Sequence, residues 1–383
     1  MTAKVPDLFV MLQALIAAPS ISCSSPAHDM SNRAVIDLLA DWLDTLGFAV
    51  RVIPIEGQPH KANLIATLGS GPGGLVLAGH TDTVPYDEQG WSFDPFQLTE
   101  HDQRWYGLGT ADMKGFFPIA IEAVRPYLET PLREPLIILA TADEESSMDG
   151  ARQLAAQGQP RGRFAVVGEP TELRPARLHK GMMMEAITVH GRSGHSSDPA
   201  LGNSALEGMH EVIGELLTLR GELQERYRNP AFSVPVPTMN LGCIHGGDNP
   251  NRICGDCELQ IDLRPLPGMD IHELRRLLSQ RLTPIAERRQ LDIGVRALFP
   301  GVQAFEQPAD SPLVQALEEL SGHTANAVGF ATEAPFMREL GMDAVVCGPG
   351  SIRQAHQPDE YLALSQVRPA IDMLRALIER FCL

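Results

Sequence analysis

The sequence predicts an α/β fold: a mostly parallel sheet with flanking helices, interrupted by a smaller inserted domain of ferredoxin-like βαββαβ order. Three observations predict it. First, four short apolar runs read as strands buried on both faces, as parallel strands are: Leu75-Val76-Leu77-Ala78-Gly79, Leu136-Ile137-Ile138-Leu139-Ala140-Thr141, Phe164-Ala165-Val166-Val167-Gly168 and Ala344-Val345-Val346-Cys347-Gly348. Second, segments of helical period alternate with these runs. Third, the alternation stops near residue 181 and resumes after Pro300.

Each element has a local justification. Leu8, Met11, Leu12 and Leu15 recur at helical spacing ahead of Pro19. Residues 31–46 form an amphipathic helix with Val35, Leu38, Leu39, Trp42, Leu43 and Leu46 on one face, and Gly47 ends it. Strands follow over 49–53 and 63–68, and the glycine-rich 69–74 turns the chain into the Leu75 strand. A helix over 115–127 precedes the Leu136 strand. In the insertion, the period predicts strands over 183–190, 238–244, 257–263 and 291–295, with helices over 204–219 and 272–286. Pro284 is expected to kink the end of the second helix. The run Met182-Met183-Met184 reads as a strand start with core methionines. The main pattern returns with a helix near 312–321 and the Ala344 strand. The expected domains are 1–181 with 298–383, and 182–297.

Bulk properties narrow the function. The chain has 383 residues, long enough for two or three domains. A net charge of −17 argues against nucleic acid and anionic membrane as partners. No apolar stretch approaches the ~18–20 residues of a membrane span, and residues 1–20 lack the pattern of a secretory signal. The six cysteines are scattered, as expected in a reducing, cytoplasmic setting. Cys254-Gly255-Asp256-Cys257 is a CxxC without the second pair that a zinc ribbon needs.

Three apolar strands run directly into metal-binding residue types. His80 follows the Leu75 run, Asp143-Glu144-Glu145 the Leu136 run, and Glu169 the Phe164 run; His356 lies in the loop after the Ala344 run. Ligands of open α/β sheets bind beyond the carboxyl ends of the strands. In His80-Thr81-Asp82, the aspartate is spaced to accept from the second ring nitrogen of a metal-binding histidine. The loop 107–115 is glycine-rich but has Asp112 where a dinucleotide loop has its third glycine, and Gly115 where a phosphate loop has Ser or Thr. Its glycines instead suit a bend that projects Asp112 into a site. Taken singly, each feature has an ordinary reading: a surface turn, a helix N-cap, solvated glutamates, a loop histidine. The set does not. Two histidines, one aspartate and two glutamates without thiolate suit zinc, cobalt or manganese. Five ligands with a bridging carboxylate fit two ions ~3.5–4 Å apart, and the remaining glutamate is free to act as a general base. A two-metal phosphodiesterase lacks its basic phosphate cluster here, and no Gly-x-Ser-x-Gly follows a strand as a serine hydrolase requires.

Together these residues resemble the two-metal aminoacylase and carboxypeptidase-like metallohydrolase family over nearly the whole chain. The resemblance rests on Gly79-His80-Thr81-Asp82-Thr83-Val84-Pro85, on 107–117, on His179-Lys180-Gly181, on Gly194-His195-Ser196-Ser197-Asp198-Pro199, on 262–268 and on 348–361. It implies one ion held by His80, Asp112 and Glu169 and a second by Asp112, Glu145 and His356, the ions being zinc or cobalt. It implies Glu144 as general base, Asp82 as the residue that orients His80, and a cis peptide bond after Asp112. It further implies a catalytic main domain and a homodimer formed through the inserted domain. His195 would reach the partner subunit's site to stabilise the oxyanion, and Asn251 and Arg264 would hold the substrate carboxylate. The expected reaction is hydrolysis of an N-acetylated amino acid, N2-acetyl-L-ornithine in arginine biosynthesis above all. Broader N-acyl amino acid deacylation, exopeptidase action and desuccinylation are the alternatives within the family.

Overall fold

The computed structural model describes residues 5–383, the side chain of Glu88 excepted. The chain divides into two compact units. The first is Met1–Arg177, Gln307–Asn326 and Thr332–Leu383; the second is Leu178–Glu306 and Ala327–Ala331. Residues 178–181, 298–306 and 327–331, expected in the main domain, thus group with the second unit.

The first unit is built on a twisted mixed sheet. Its strands run in the spatial order Ala49–Ile55, Gln58–Leu68, Leu136–Thr141, Leu75–His80, Phe164–Pro170 and Asp343–Gly348. The last four are mutually parallel, and the first two are added antiparallel. Every residue of Leu75–His80, Leu136–Thr141 and Phe164–Pro170 is buried, which is why these runs lack the polar alternation of a one-sided strand. Helices Leu8–Ile16, Arg33–Thr45, Phe116–Val124 and Leu364–Cys382 contribute to one core with these strands. The helix predicted over 115–127 is α-helical only to Val124, with a 3-10 turn at Arg125–Tyr127. Three short strands, Thr99–His101, Arg104–Tyr106 and Tyr361–Ala363, form a separate small sheet.

The second unit has the predicted βαββαβ order. Strands Met183–His190, Thr238–Gly246, Asp256–Arg264 and Asp292–Ala297 pair antiparallel throughout, and the first and third lie side by side in the middle. Helices Ala205–Arg226 and Ile271–Arg289 pack into the same core. The first runs seven residues past its predicted end, and the Ser204 hydroxyl accepts from Glu207 N at its start. The second passes through Pro284 and continues to Arg289, three residues past its predicted end. Leu278, Leu282 and Ile285 are buried on either side of the proline, and Gln290, at φ 54°, closes the helix. Met183 is fully buried in this core. Among the described residues, no helix is long and apolar enough to cross a membrane.

Candidate metal centre

All side chains of the centre belong to the first unit. Parallel strands ending at a common sheet edge place His80, the segment after Thr141, and Glu169 together. After Thr141 the chain turns sharply at Asp143, φ 60°, whose carbonyl accepts from Ser147 N and Met148 N. That turn presents Glu144 and Glu145. Asp112 comes from the glycine-rich loop and is followed by a cis peptide bond to Met113. It does not cap the next helix, which starts at Phe116 after Gly115. His356 sits at φ 59° beyond the strand Asp343–Gly348.

Asp112 joins two clusters. Its Oδ1 lies 3.1 Å from His80 Nε2, and its Oδ2 lies 3.5 Å from His356 Nε2. His80 Nε2 is also 3.9 Å from Glu169 Oε1, and His356 Nε2 is 3.1 Å from Glu145. His80, Asp112 and Glu169 thus form one potential ion-binding group, and Asp112, Glu145 and His356 form another. His80, Glu144 and Glu145 form a third, so Glu144 lies beside both. The first group is wholly buried, whereas His356 is exposed. Buried Glu169 Oε1 has no hydrogen-bond partner. Such an orphaned oxygen, aimed at a histidine nitrogen and surrounded by other carboxylates, fits a divalent cation with N and O ligands.

Asp82 braces the centre from behind. His80 Nδ1 lies 3.0 Å from the main-chain oxygen of Asp82 and 3.6 Å from its carboxylate. The contact expected of the carboxylate is therefore made more closely by the backbone. Asp82 Oδ2 accepts from Glu145 N at 3.0 Å, which ties the His80 strand end to the glutamate turn.

The electrostatics are those of crowded acids. Burial and then the charge of Glu169 push Glu144 well above the usual carboxylate range. Burial and then Asp112 push Glu145 up and Glu169 well up. Burial opposes charge on His80, but its bonds with Asp112 and Asp82 raise it well above an ordinary imidazole. The hydrogen bond with Glu145 raises His356 to about 9. The carboxylates outnumber the histidines, and a cation removes the imbalance.

Several supporting residues have no signature in the sequence. Lys61, 3% exposed, reaches Asp29 at 2.7 Å and Asp143 at 2.5 Å, pinning the turn that carries Glu144. The Glu360 carboxylate accepts from the backbone N–H groups of Gly109, Ala111 and Asp112. Burial pushes Glu360 up; the N–H donors of Gly109, Asp112 and Ala111 pull it back. Glu333 accepts from Thr141 Oγ1 at 2.8 Å, and burial pushes it up to about 7. Lys114, also buried, donates to Leu15 O and Ala18 O, and burial lowers it to about 7.

The remaining predicted residues belong to the second unit. His195 is exposed, with Ser197 Oγ 2.7 Å from its Nδ1. Asn251 is exposed, and its carbonyl accepts from Ser196 N. Arg264 pairs with Asp262 at 2.9 Å.

Comparison with known proteins sets this geometry in context. Residues 76–380 match the model of peptidase family M20/M25/M40. The chain is 53% identical to the acetylornithine deacetylase of Edwardsiella ictaluri and 51% identical to that of Klebsiella pneumoniae, in each case over 382 residues and 100% of both chains. Among solved structures it is similar to an M20 family metallo-carboxypeptidase from Sulfolobus solfataricus, with TM-score 0.75, 17% identity and coverage of 98% and 99%. It is also similar to a tripeptidase from Staphylococcus aureus, with TM-score 0.74, 18% identity and coverage of 99% of both chains. At those identities the structures speak for the fold alone. The match over most of the length, joined to the two carboxylate–histidine groups that share Asp112, means that the chain belongs to peptidase family M20/M25/M40.

Proposed function

We propose that the chain is a metal-dependent amide hydrolase that removes the acetyl group from N2-acetyl-L-ornithine, giving L-ornithine and acetate in arginine biosynthesis. The observation that carries this reading is the full-length identity of 53% and 51% to proteins named acetylornithine deacetylase. The centre supports it chemically. Two divalent ions, zinc or cobalt, would be held by His80, Asp112 and Glu169 and by Asp112, Glu145 and His356. Bound there, they supply Lewis acidity, which lowers the pKa of water from 15.7 to about 7 and polarises an acyl oxygen.

The chain's own residues do the rest. Glu144 takes a proton from water as its oxygen attacks the acetyl carbon. It then passes that proton to the amide nitrogen as the C–N bond breaks, so the products are acetate and the free amine. The burial that raises Glu144, with the charge of Glu169 beside it, makes it a better proton acceptor than a solvated glutamate. Asp82 keeps Nε2 of His80 facing Asp112 and Glu169. The family resemblance supports a cytoplasmic homodimer built through the second unit. It also supports His195 as oxyanion donor to the partner subunit, worth ~3–4 kcal/mol for such a donor, and Asn251 and Arg264 as holders of the substrate carboxylate.

A substrate panel tests the reading. Turnover of acetylornithine, acetylmethionine, acetylcitrulline and succinyl-diaminopimelate is measured with zinc and then with cobalt. Acetylornithine is expected to give kcat/KM at least about tenfold above the others, a difference of ~1.4 kcal/mol in transition-state binding. Preference for the succinylated substrate, or equal turnover of all acetylated ones, would replace it with the desuccinylase or broad deacylase reading.

A further inference from the structure

The glycine-rich loop before helix Phe116–Val124 has the form of an anion-binding nest, and the anion is supplied by the chain itself. Glu360 Oε1 accepts from Ala111 N at 2.8 Å and Asp112 N at 2.9 Å, and Oε2 accepts from Gly109 N at 3.0 Å. Gly107 N donates to the Glu360 carbonyl at 3.0 Å. Gly109 adopts φ +87°, which a side chain would disfavour and which brings its N–H to the same carboxylate as those of Ala111 and Asp112. Glu360 is 2% exposed, and no phosphate can take its place without displacing it.

The two ends of this contact matter to the centre. Asp112 is the residue whose N–H Glu360 holds, and its two carboxylate oxygens face His80 and His356. Glu360 itself stands four residues after His356, directly before strand Tyr361–Ala363. That strand pairs with Arg104–Tyr106, immediately before the glycine loop. One carboxylate therefore ties the loop that carries the shared ligand to the loop that carries the exposed histidine.

We propose that Glu360 is a positioning residue that holds Asp112 in the orientation in which it serves both ion sites. It is not itself a ligand, because its oxygens are turned to backbone N–H groups. The proposal rests on the reading of the centre as a two-ion site and deepens it. Loss of a partner that orients a metal ligand typically costs 10–100-fold in metal affinity or activity.

The test uses Glu360→Gln. The amide has nearly the same shape but offers only one acceptor oxygen, so its NH2 meets an N–H donor. Zinc binding at buffered free-metal concentrations, the thermal midpoint of the metal-free protein, and kcat and KM for acetylornithine are measured beside the wild type. The expected result is zinc affinity at least about tenfold weaker and kcat reduced by a similar factor, with KM within about threefold and a metal-free midpoint close to wild type. Wild-type zinc affinity in Glu360→Gln would overturn the proposal. So would a loss of zinc affinity matched by an equal loss of metal-free stability, since that marks a merely structural role. If Glu360→Gln does not fold, Glu360→Asp carries the same measurements: it keeps both oxygens but shortens the reach, and unchanged zinc affinity there also overturns the proposal. Should the wild type itself bind no zinc, it is the reading of the centre that fails, a result distinct from a wild type that binds two ions and a variant that matches it.

Discussion

In the second unit, the fully buried carboxylate of Glu185 meets Arg275 at 2.7 Å, and the buried imidazole of His179 gives up its charge, lowered to about 4 by burial. In the first unit, Asp112, Glu144, Glu145 and Glu169 crowd around two histidines. Both units bury ionisable groups, but Glu185 of the second is met by a cationic side chain of its own unit, whereas the acids of the first unit's centre face only the two histidines and one another. The difference teaches where a cation is needed. An unpaired buried charge costs too much to be kept for packing alone, so a cluster of acids at a sheet edge implies something supplied from outside. Lys61 with Asp143 shows that the first unit pairs acids internally where no ion is required.

Three substitutions sharpen that contrast. The largest effect is expected of Glu144→Gln. It should lower kcat for acetylornithine by about 10³-fold, within the usual range for a general base, while zinc binding is kept. Because burial and the neighbouring carboxylates disfavour a charge at this position, a neutral amide should leave the metal-free protein as stable as wild type or more so. Near wild-type kcat with zinc bound would refute the base assignment.

Arg275→Ala should do the reverse, leaving activity per folded molecule intact while destabilising the fold. It strands Glu185 as a buried, unpaired carboxylate, at a cost of about 3–4 kcal/mol read from urea unfolding. A loss under about 1 kcal/mol would mean that burial of charge is as well tolerated in one unit as in the other.

The third concerns pH. His179 Nδ1 donates to Lys180 O at 2.8 Å, and Nε2 has no partner. Its pKa is depressed from 6.5 to about 4 in the folded protein. Between these values the unfolded chain holds a proton that the folded one does not. Stability contributed by neutral His179 is therefore present above pH 6.5, is lost as pH falls toward about 4, and changes no further below that. The full loss is about 3 kcal/mol. His179→Gln should flatten the stability profile in that window; parallel profiles would show that His179 is not the group responsible.

How much was legible varies with the physical origin of each feature. His80, Glu145 and Glu169 could be found because a strand buried on both faces is a continuous apolar run, and the residue that breaks the run stands at the sheet edge. Asp112 stood out because its loop fits neither nucleotide motif, and the structure brings it within reach of both histidines. The four-strand insertion was readable because its strands alternate and its helices are long. Glu360 was not legible: it acts on backbone N–H groups some 250 positions away, which have no side-chain signature. Lys61 is likewise 82 positions from Asp143, and a lone lysine in a strand reads as surface. Strands Thr99–His101, Arg104–Tyr106 and Tyr361–Ala363 are three residues each, too short to show a period. The helix through Pro284 extends three residues beyond its expected end at 286, with Leu282 and Ile285 buried on either side of the proline.

The measurement that tests the central claim most directly is acetylornithine turnover by metal-depleted protein as zinc or cobalt is returned under buffered conditions. The account predicts turnover of about 1% or less without ions, recovery as they are added, and saturation at two ions per chain. Undiminished turnover in the depleted protein would contradict it.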